Sequence, residues 1–186
     1  MEYREIEAKF LEIDVQTVMG KLREIGAIDD GDDFLREIIF YDKAGRWQYE
    51  EKKFVRVRQA KKGIFVTFKH NEENSVTGTK EVEFEVKDVQ IVKKFLEEIG
   101  LIAFREQEKK RHTFRMGKVI IDIDTWPSVP TYVELEGPSE EELKKVAVAL
   151  GLEWSKAIFE SARYVIEKHY KIPVSKYRQF TFKKIG

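Results

Sequence analysis

Period-two alternation runs through this chain, and its polar half is charged and grouped by sign. Glu5, Glu7 and Lys9 alternate with Ile6, Ala8 and Phe10. Arg56 and Arg58 alternate with Val55 and Val57, and Thr67 and Lys69 with Ile64, Val66 and Phe68. Glu81, Glu83 and Glu85 then oppose Val82, Phe84 and Val86. Lys109, Arg111, Thr113 and Arg115 share one parity, Asp122 and Asp124 oppose Val119, Ile121 and Ile123, and Tyr132, Glu134 and Glu136 oppose Val133 and Leu135. Successive side chains of a strand point to opposite faces, so each segment has one apolar face and one charged face.

Helical segments fall between these strands. Asp14 caps a helix with Val15, Val18, Met19, Leu22 and Ile25 on one side, ended by Gly26. Asp88 caps another, with Val92, Phe95, Leu96 and Ile99 before Gly100. Ser139 with Glu142 forms a capping box ahead of a third, ended by Gly151, and a fourth is predicted over 155–170. Strands are predicted at 34–42, 53–60, 64–70, 79–87, 103–116, 118–125 and 131–137, with loops at 43–52 and 71–78. Glu-x-Glu precedes each of the first three helices, and the repeated strand–helix text reads as an internal duplication.

Amphipathic helices need apolar sheet surface to cover. Turning the apolar faces outward to meet them leaves the charged faces to meet each other, as in an antiparallel sheet of about eight strands curling shut around a charged lumen. An open sheet with solvated charges also explains the alternation, but not Arg-x-Arg and Glu-x-Glu grouped by sign. Crowding like charges on one sheet face costs roughly 0.2–1 kcal/mol per pair unless an opposite charge resolves it. Acidic groups suited to a divalent cation and basic groups suited to phosphate point to a metal-bound polyanion.

At 186 residues the chain reads as one domain over 1–186. Lys plus Arg (34) balances Asp plus Glu (34), which argues against nucleic acid or a membrane surface as partner. There is no Cys, so disulfides and thiolate metal sites are excluded. No apolar leader or membrane-length run is present, and a cytoplasmic protein is expected. His70, His112 and His169 are scattered and read as surface or packing residues.

Glu5-x-Glu7-x-Lys9 resembles the signature of the CYTH superfamily, the triphosphate tunnel metalloenzymes. The likeness continues in order through Val55-Arg56-Val57-Arg58, Thr67-Phe68-Lys69, Glu81-x-Glu83-x-Glu85, Lys109-x-Arg111, Asp124 and Glu134-x-Glu136, over residues 5–137. The Trp126-Pro-x-x-Pro130 segment is similar to that of prokaryotic cyclase-like members, whereas Ile38 stands where many relatives carry Asp. The resemblance implies an α+β fold: a closed eight-stranded antiparallel barrel, the triphosphate tunnel, with helices outside, the signature in 1–137 and C-terminal helices and tail in 138–186. It implies Glu5, Glu7, Glu83, Glu85, Asp124, Glu134 and Glu136 as ligands of Mg²⁺ or Mn²⁺. It implies Lys9, Arg56, Arg58, Lys69, Lys109, Arg111 and Arg115 as groups gripping a triphosphate, all but Arg115 with a catalytic role.

The implied substrate is ATP, thiamine triphosphate or tripolyphosphate, and the implied state a monomer or homodimer. Hydrolysis is the reaction favoured, because no base-binding signature is visible. Class IV-type cyclisation of ATP to cyclic AMP and pyrophosphate is the first alternative, and a non-catalytic polyphosphate- or nucleotide-binding module the second.

Overall fold

A computed structural model of the protein describes residues 6–71 and 79–186. Glu5 and most of the loop expected at 71–78 lie outside the described residues. In chain order the elements are β1 (Ile6–Phe10), α1 (Val15–Glu24), β2 (Ile28–Asp42), α2 (Arg46–Tyr49), β3 (Lys53–Ala60), β4 (Gly63–Asn71), β5 (Thr79–Val86) and α3 (Val89–Glu98). They continue with β6 (Leu101–Met116), β7 (Val119–Thr125), β8 (Tyr132–Gly137), α4 (Glu140–Ala149), α5 (Ala162–Lys168) and β9 (Gln179–Phe180), with 3₁₀ turns at Trp154–Lys156 and Val174–Lys176. This is an α+β fold of eight main strands with antiparallel ladders, plus the short β9, parallel to β6.

The chain divides into two compact units. The β1 unit comprises residues 6–33 and 110–175, and the β3 unit comprises residues 34–109 and 176–186. Strands β2 and β6 run on from one unit into the other. In the β1 unit the strand order is β1-β8-β7-β6, and in the β3 unit it is β6-β2-β3-β4-β5.

The helices start where short polar side chains replace missing backbone partners. Asp14 Oδ1 accepts from Thr17 N at 2.6 Å, Asp88 Oδ1 from Gln90 N at 2.7 Å, and Ser139 Oγ from Glu142 N at 3.3 Å. Gly26 and Gly100, at φ 73° and 97°, take the left-handed conformation that ends α1 and α3. In the β1 unit, Val18 and Leu22 of α1 and Leu143, Val146, Ala147 and Leu150 of α4 pack on Ala8, Phe10, Phe114, Ile121, Val133 and Leu135, all buried. Burying each large aliphatic side chain here contributes about 1.5–3 kcal/mol. In the β3 unit, Leu96 of α3 joins Phe40, Val55, Val57, Val66 and Leu101. The apolar faces therefore meet the helices, as the alternation requires, except on β5, where Val82 and Phe84 are more than half exposed.

Four expectations differ from what is found. β2 begins at Ile28, six residues before the predicted strand, because long-range partners hold its acidic start. Arg115 donates to both oxygens of Asp30, at 2.7 and 2.9 Å, and the His112 ring nitrogens lie 2.7 Å from Asp29 Oδ1 and 2.8 Å from Asp32 Oδ1. The predicted loop at 43–52 contains α2, whose start is held by Trp47 N donating to Asp42 Oδ1 at 2.8 Å. The predicted helix at 155–170 is shortened to Ala162–Lys168. Ile158 is drawn into an antiparallel bridge with Lys9, its N–H donating to Lys9 O at 3.0 Å and its carbonyl accepting from Lys9 N at 2.8 Å. Finally, Phe95 and Ile99, expected in the core, are exposed on α3.

Candidate functional site

The polar face of the β1 unit is ordered by strand register. Thr113, Asp122, Glu134 and Lys9 pair in sequence across β6, β7, β8 and β1, and Arg111, Asp124 and Tyr132 form the next row. Glu7 lies opposite Glu136. This face is not solvated: Lys9 and Asp124 have no exposed surface and Asp122 is 2% exposed. Charges at such burial must be partnered to persist. Lys9 Nζ donates to Glu7 Oε1 at 2.7 Å and lies 3.3 Å from Glu134 Oε2. Arg111 donates Nε and Nη2 to the two oxygens of Asp124, each at 2.7 Å, reaches Glu134 Oε1 at 3.3 Å and pairs with Asp122. Thr113 Oγ1 donates to Asp122 Oδ1 at 2.6 Å.

Protonation follows from this crowding. Burial pushes the Asp122 carboxyl up to about 6; Arg111 opposes the rise, while Asp124 and Glu134 add to it. For Lys9, burial would lower the pKa, but Glu7 and Glu134 outweigh it and hold the ammonium above its ordinary range. Arg111 is likewise held charged by Asp124, Asp122 and Glu134 against its burial. Tyr132 is fully buried, and its hydroxyl accepts a hydrogen bond from Trp126 Nε1 at 2.9 Å. That contact gives the Trp126-Pro-x-x-Pro130 segment a role in fixing this face.

In the β3 unit, the rows are Ile39–Arg56–Thr67–Glu83, Glu37–Arg58–Phe65–Glu85 and Phe54–Lys69–Glu81. Arg56 lies 3.7 Å from Glu37 and 3.8 Å from both Glu81 and Glu83, and Arg58 lies 3.6 Å from Glu37 and 3.5 Å from Glu83. Thr67 Oγ1 accepts from Arg56 Nη2 at 3.2 Å and donates to Glu83 Oε2 at 2.6 Å. Lys69 pairs with Glu81 at 2.6 Å. Behind this array, Arg105 Nε donates to Gln107 Oε1 at 2.8 Å and Gln107 Nε2 to Glu37 Oε2 at 2.6 Å. Arg56 Nε and Arg58 Nε are buried without a hydrogen-bond partner. Arg58 Nε instead lies in a longer ion pair with Glu37 Oε1, and guanidinium donors without a hydrogen bond fit an acceptor-rich anion.

The predicted residues are thus distributed. Lys9, Arg111, Glu7, Asp124 and Glu134 come together in the β1 unit, with Glu136 opposite Glu7. Arg56, Arg58, Lys69 and Glu83 come together in the β3 unit, where Lys109 is 6% exposed. Arg115 is committed to Asp30, and Glu85 lies at the end of the Arg58 row. Glu5 lies outside the described residues. Glu37 was not anticipated: its neighbours of like parity, Leu35 and Ile39, are apolar and buried, so the alternation that marks a charged face is absent from β2. Asp122, Thr67 and Tyr132 carried the parity signal without an assigned role.

A divalent cation can be tested against this donor set. In the β1 unit, Glu7, Asp122, Asp124 and Glu134 crowd around the cations Lys9 and Arg111, and burial raises the Asp122 titration, with Asp124 and Glu134 adding to it. All the donors are hard oxygens, which suits Mg²⁺ or Mn²⁺. The chemistry fits. Among the described residues, no three such groups converge as a ready metal cluster, because Lys9 and Arg111 lie against the carboxylates.

A family model, the CYTH domain, matches residues 3–164. The chain belongs to the CYTH family. No curated protein matches it. The chain is similar in structure to a candidate adenylate cyclase of Vibrio parahaemolyticus, at TM-score 0.76 and 12% identity, with 90% of this chain and 99% of that one covered. It is also similar to the PH1012 protein of Pyrococcus horikoshii OT3, at TM-score 0.70 and 19% identity, covering 84% and 96%. A candidate adenylyl cyclase from Hippeastrum, described as having a dominant triphosphatase activity, matches at TM-score 0.61 and 12% identity, covering 89% and 95%. At these identities the likeness is one of fold. The CYTH family is one of metal-dependent enzymes acting on triphosphates. No helix among the described residues is long and apolar enough to cross a membrane.

Proposed function

We propose that this CYTH protein is a divalent-metal-dependent triphosphatase, acting as one domain whose sheet closes into a triphosphate tunnel. The observation that supports the reading most is the crowding of Arg56, Arg58 and Lys69 on one strand face, with neither arginine Nε hydrogen-bonded. A triphosphate supplies acceptor oxygens spaced to engage neighbouring guanidinium groups. In this reading Arg56, Arg58, Lys69 and Lys109 bind and orient phosphate oxygens. Glu7, Asp124, Glu134 and Glu136, with Glu5, hold Mg²⁺ or Mn²⁺, which when bound supplies charge neutralisation and an activated water. Lys9 and Arg111 hold Glu7, Asp124 and Glu134 in register, and Glu37 with Gln107 fixes the arginine pair. Phosphoryl transfer depends chiefly on positioning and charge stabilisation, which such side chains provide without a covalent intermediate.

The second reading is a class IV-type adenylyl cyclase, and the description of the Vibrio relative favours it. Incubation of the purified chain with tripolyphosphate or ATP and Mg²⁺ or Mn²⁺, with product identification, separates the two. Orthophosphate is the expected product. Cyclic AMP with pyrophosphate from ATP would overturn hydrolysis. Glu7→Gln is expected to abolish turnover while leaving tripolyphosphate binding measurable, and retained turnover would refute the carboxylate assignment.

A further inference from the structure

Residues 176–186 belong to the β3 unit, yet they lie beyond the part of the chain that the family model matches, which ends at residue 164. This tail closes on itself. Gly186 O accepts from Arg178 N and Gln179 N at 2.9 and 2.8 Å, Gly186 N donates to Gln179 O at 2.9 Å, and Phe180 bridges to Ile185. The closed tail docks on one stretch of β6, residues 104–108. There β9 pairs Gln179 with Glu106 and Phe180 with Gln107, and Glu106 N donates to Arg178 O at 2.9 Å. At one end of the stretch the Arg178 guanidinium lies 4.1 Å over the Phe104 ring and donates to Phe104 O at 3.3 Å. At the other end Glu108 Oε2 accepts from Phe182 N at 3.1 Å. Phe180 has no exposed surface.

Between these two anchors sit Arg105 and Gln107, both buried. Arg105 Nε donates to Gln107 Oε1, which leaves the amide nitrogen of Gln107 to donate to Glu37 Oε2. The amide has one workable orientation, because reversing it would set donor against donor at Arg105 and acceptor against acceptor at Glu37. The other oxygen, Glu37 Oε1, is the one that stands 3.7 Å from Arg56 Nη1 and 3.6 Å from Arg58 Nε. These spacings exceed hydrogen-bond length, so charge attraction draws both guanidinium groups toward that oxygen. Moving Glu37 moves the point toward which the pair is drawn.

We infer that the C-terminal tail is a positioning element of the phosphate site. By clamping residues 104–108 it fixes Gln107, and through Gln107 and Glu37 it sets the places of Arg56 and Arg58. The inference rests on the reading of those arginines as phosphate binders. A tail that only covered a strand edge would add stability and leave the phosphate affinity of the folded protein unchanged. A positioning tail acts on affinity itself, since misplacing a binding group by about 1 Å can cost about 100-fold.

Titration calorimetry of the full chain with tripolyphosphate, in EDTA so that no turnover intervenes, tests this. Arg58→Ala and Gln107→Leu are each expected to weaken binding about 10-fold, and Phe180→Ala about fivefold. Arg178→Ala, at an exposed side chain whose loss leaves the core intact, is expected to weaken it about threefold and decides the matter should Phe180→Ala fail to fold. Circular dichroism checks that each variant is folded. In a Gln107→Leu background neither tail substitution is expected to weaken binding further, because the path through Gln107 is already cut. If the unaltered protein binds no tripolyphosphate, or Arg58→Ala binds it undiminished, the phosphate reading fails and the inference with it. If Arg58→Ala is weakened while folded tail variants bind as tightly as the unaltered protein, the inference alone is overturned. Losses that add in full in the Gln107→Leu background would overturn it too, since they mark a general loosening of the unit.

Discussion

Replacing Asp122 with Asn removes a carboxyl group that the fold keeps partly against its own charge. The side chain is 2% exposed, and burial raises its titration from 3.8 to about 6. Arg111 and the Thr113 hydroxyl favour the ionised form, whereas Asp124 and Glu134 disfavour it. The native state therefore holds this proton more tightly than the unfolded chain does. Below pH 3.8 the carboxyl is protonated in both states and contributes nothing. Between 3.8 and about 6 the unfolded chain loses its proton first, and native stability falls. Above that range the penalty stays constant, at about 3 kcal/mol from about 1.4 kcal/mol per pH unit of displacement. Asn cannot ionise, so the stability of Asp122→Asn relative to the unaltered protein should rise by that amount from about pH 4 to about pH 7. Any fixed cost of the amide cancels in this comparison. Urea unfolding across that range measures it, and a relative stability that is flat or falls with pH would refute the burial argument.

Other side chains give independent tests. Lys9→Met leaves Glu134 and Glu7 without their ammonium, and denaturant unfolding should show a loss of about 3 kcal/mol. Arg58→Ala should raise KM for tripolyphosphate about 10-fold or more, with a smaller change in kcat, in steady-state kinetics. Tyr132→Phe removes the hydroxyl that accepts from the buried Trp126 indole N–H and should cost about 1–3 kcal/mol, seen as a lowered melting temperature. Gly137→Ala places a Cβ 3.0 Å from Leu143 Cδ2 and 3.3 Å from Val119 Cγ2, and should cost about 1–3 kcal/mol in the same assay.

What the sequence makes legible here is parity. Where both faces of a strand are chemically distinct, as in Val55–Arg58 or Val119–Asp124, one rule places every side chain, and those strands lie where the rule puts them. Parity is silent where both faces are apolar. Leu35, Ile39, Phe40 and Tyr41 are all buried, so nothing in β2 announced that Glu37 joins the arginines. The start of β2 is hidden for another reason: Asp29–Asp33 has poor strand propensity, and His112 and Arg115, far away in sequence, help hold it extended. Ile158 likewise leaves a helical pattern because Lys9 offers a backbone partner. The period of Val92, Phe95, Leu96 and Ile99 in α3 reads as a covered face, yet Phe95 and Ile99 are exposed. Period shows that a face is apolar, not what covers it.

The ion pairs of the β3 unit bear on how ligands are read out. Arg56 and Arg58 are already engaged with Glu37, Glu81 and Glu83. In the proposed reading, a triphosphate would bind here only by drawing the guanidinium groups away from these carboxylates. The array would then set a threshold: a weakly charged anion would not displace the partners already in place, whereas a highly charged one would.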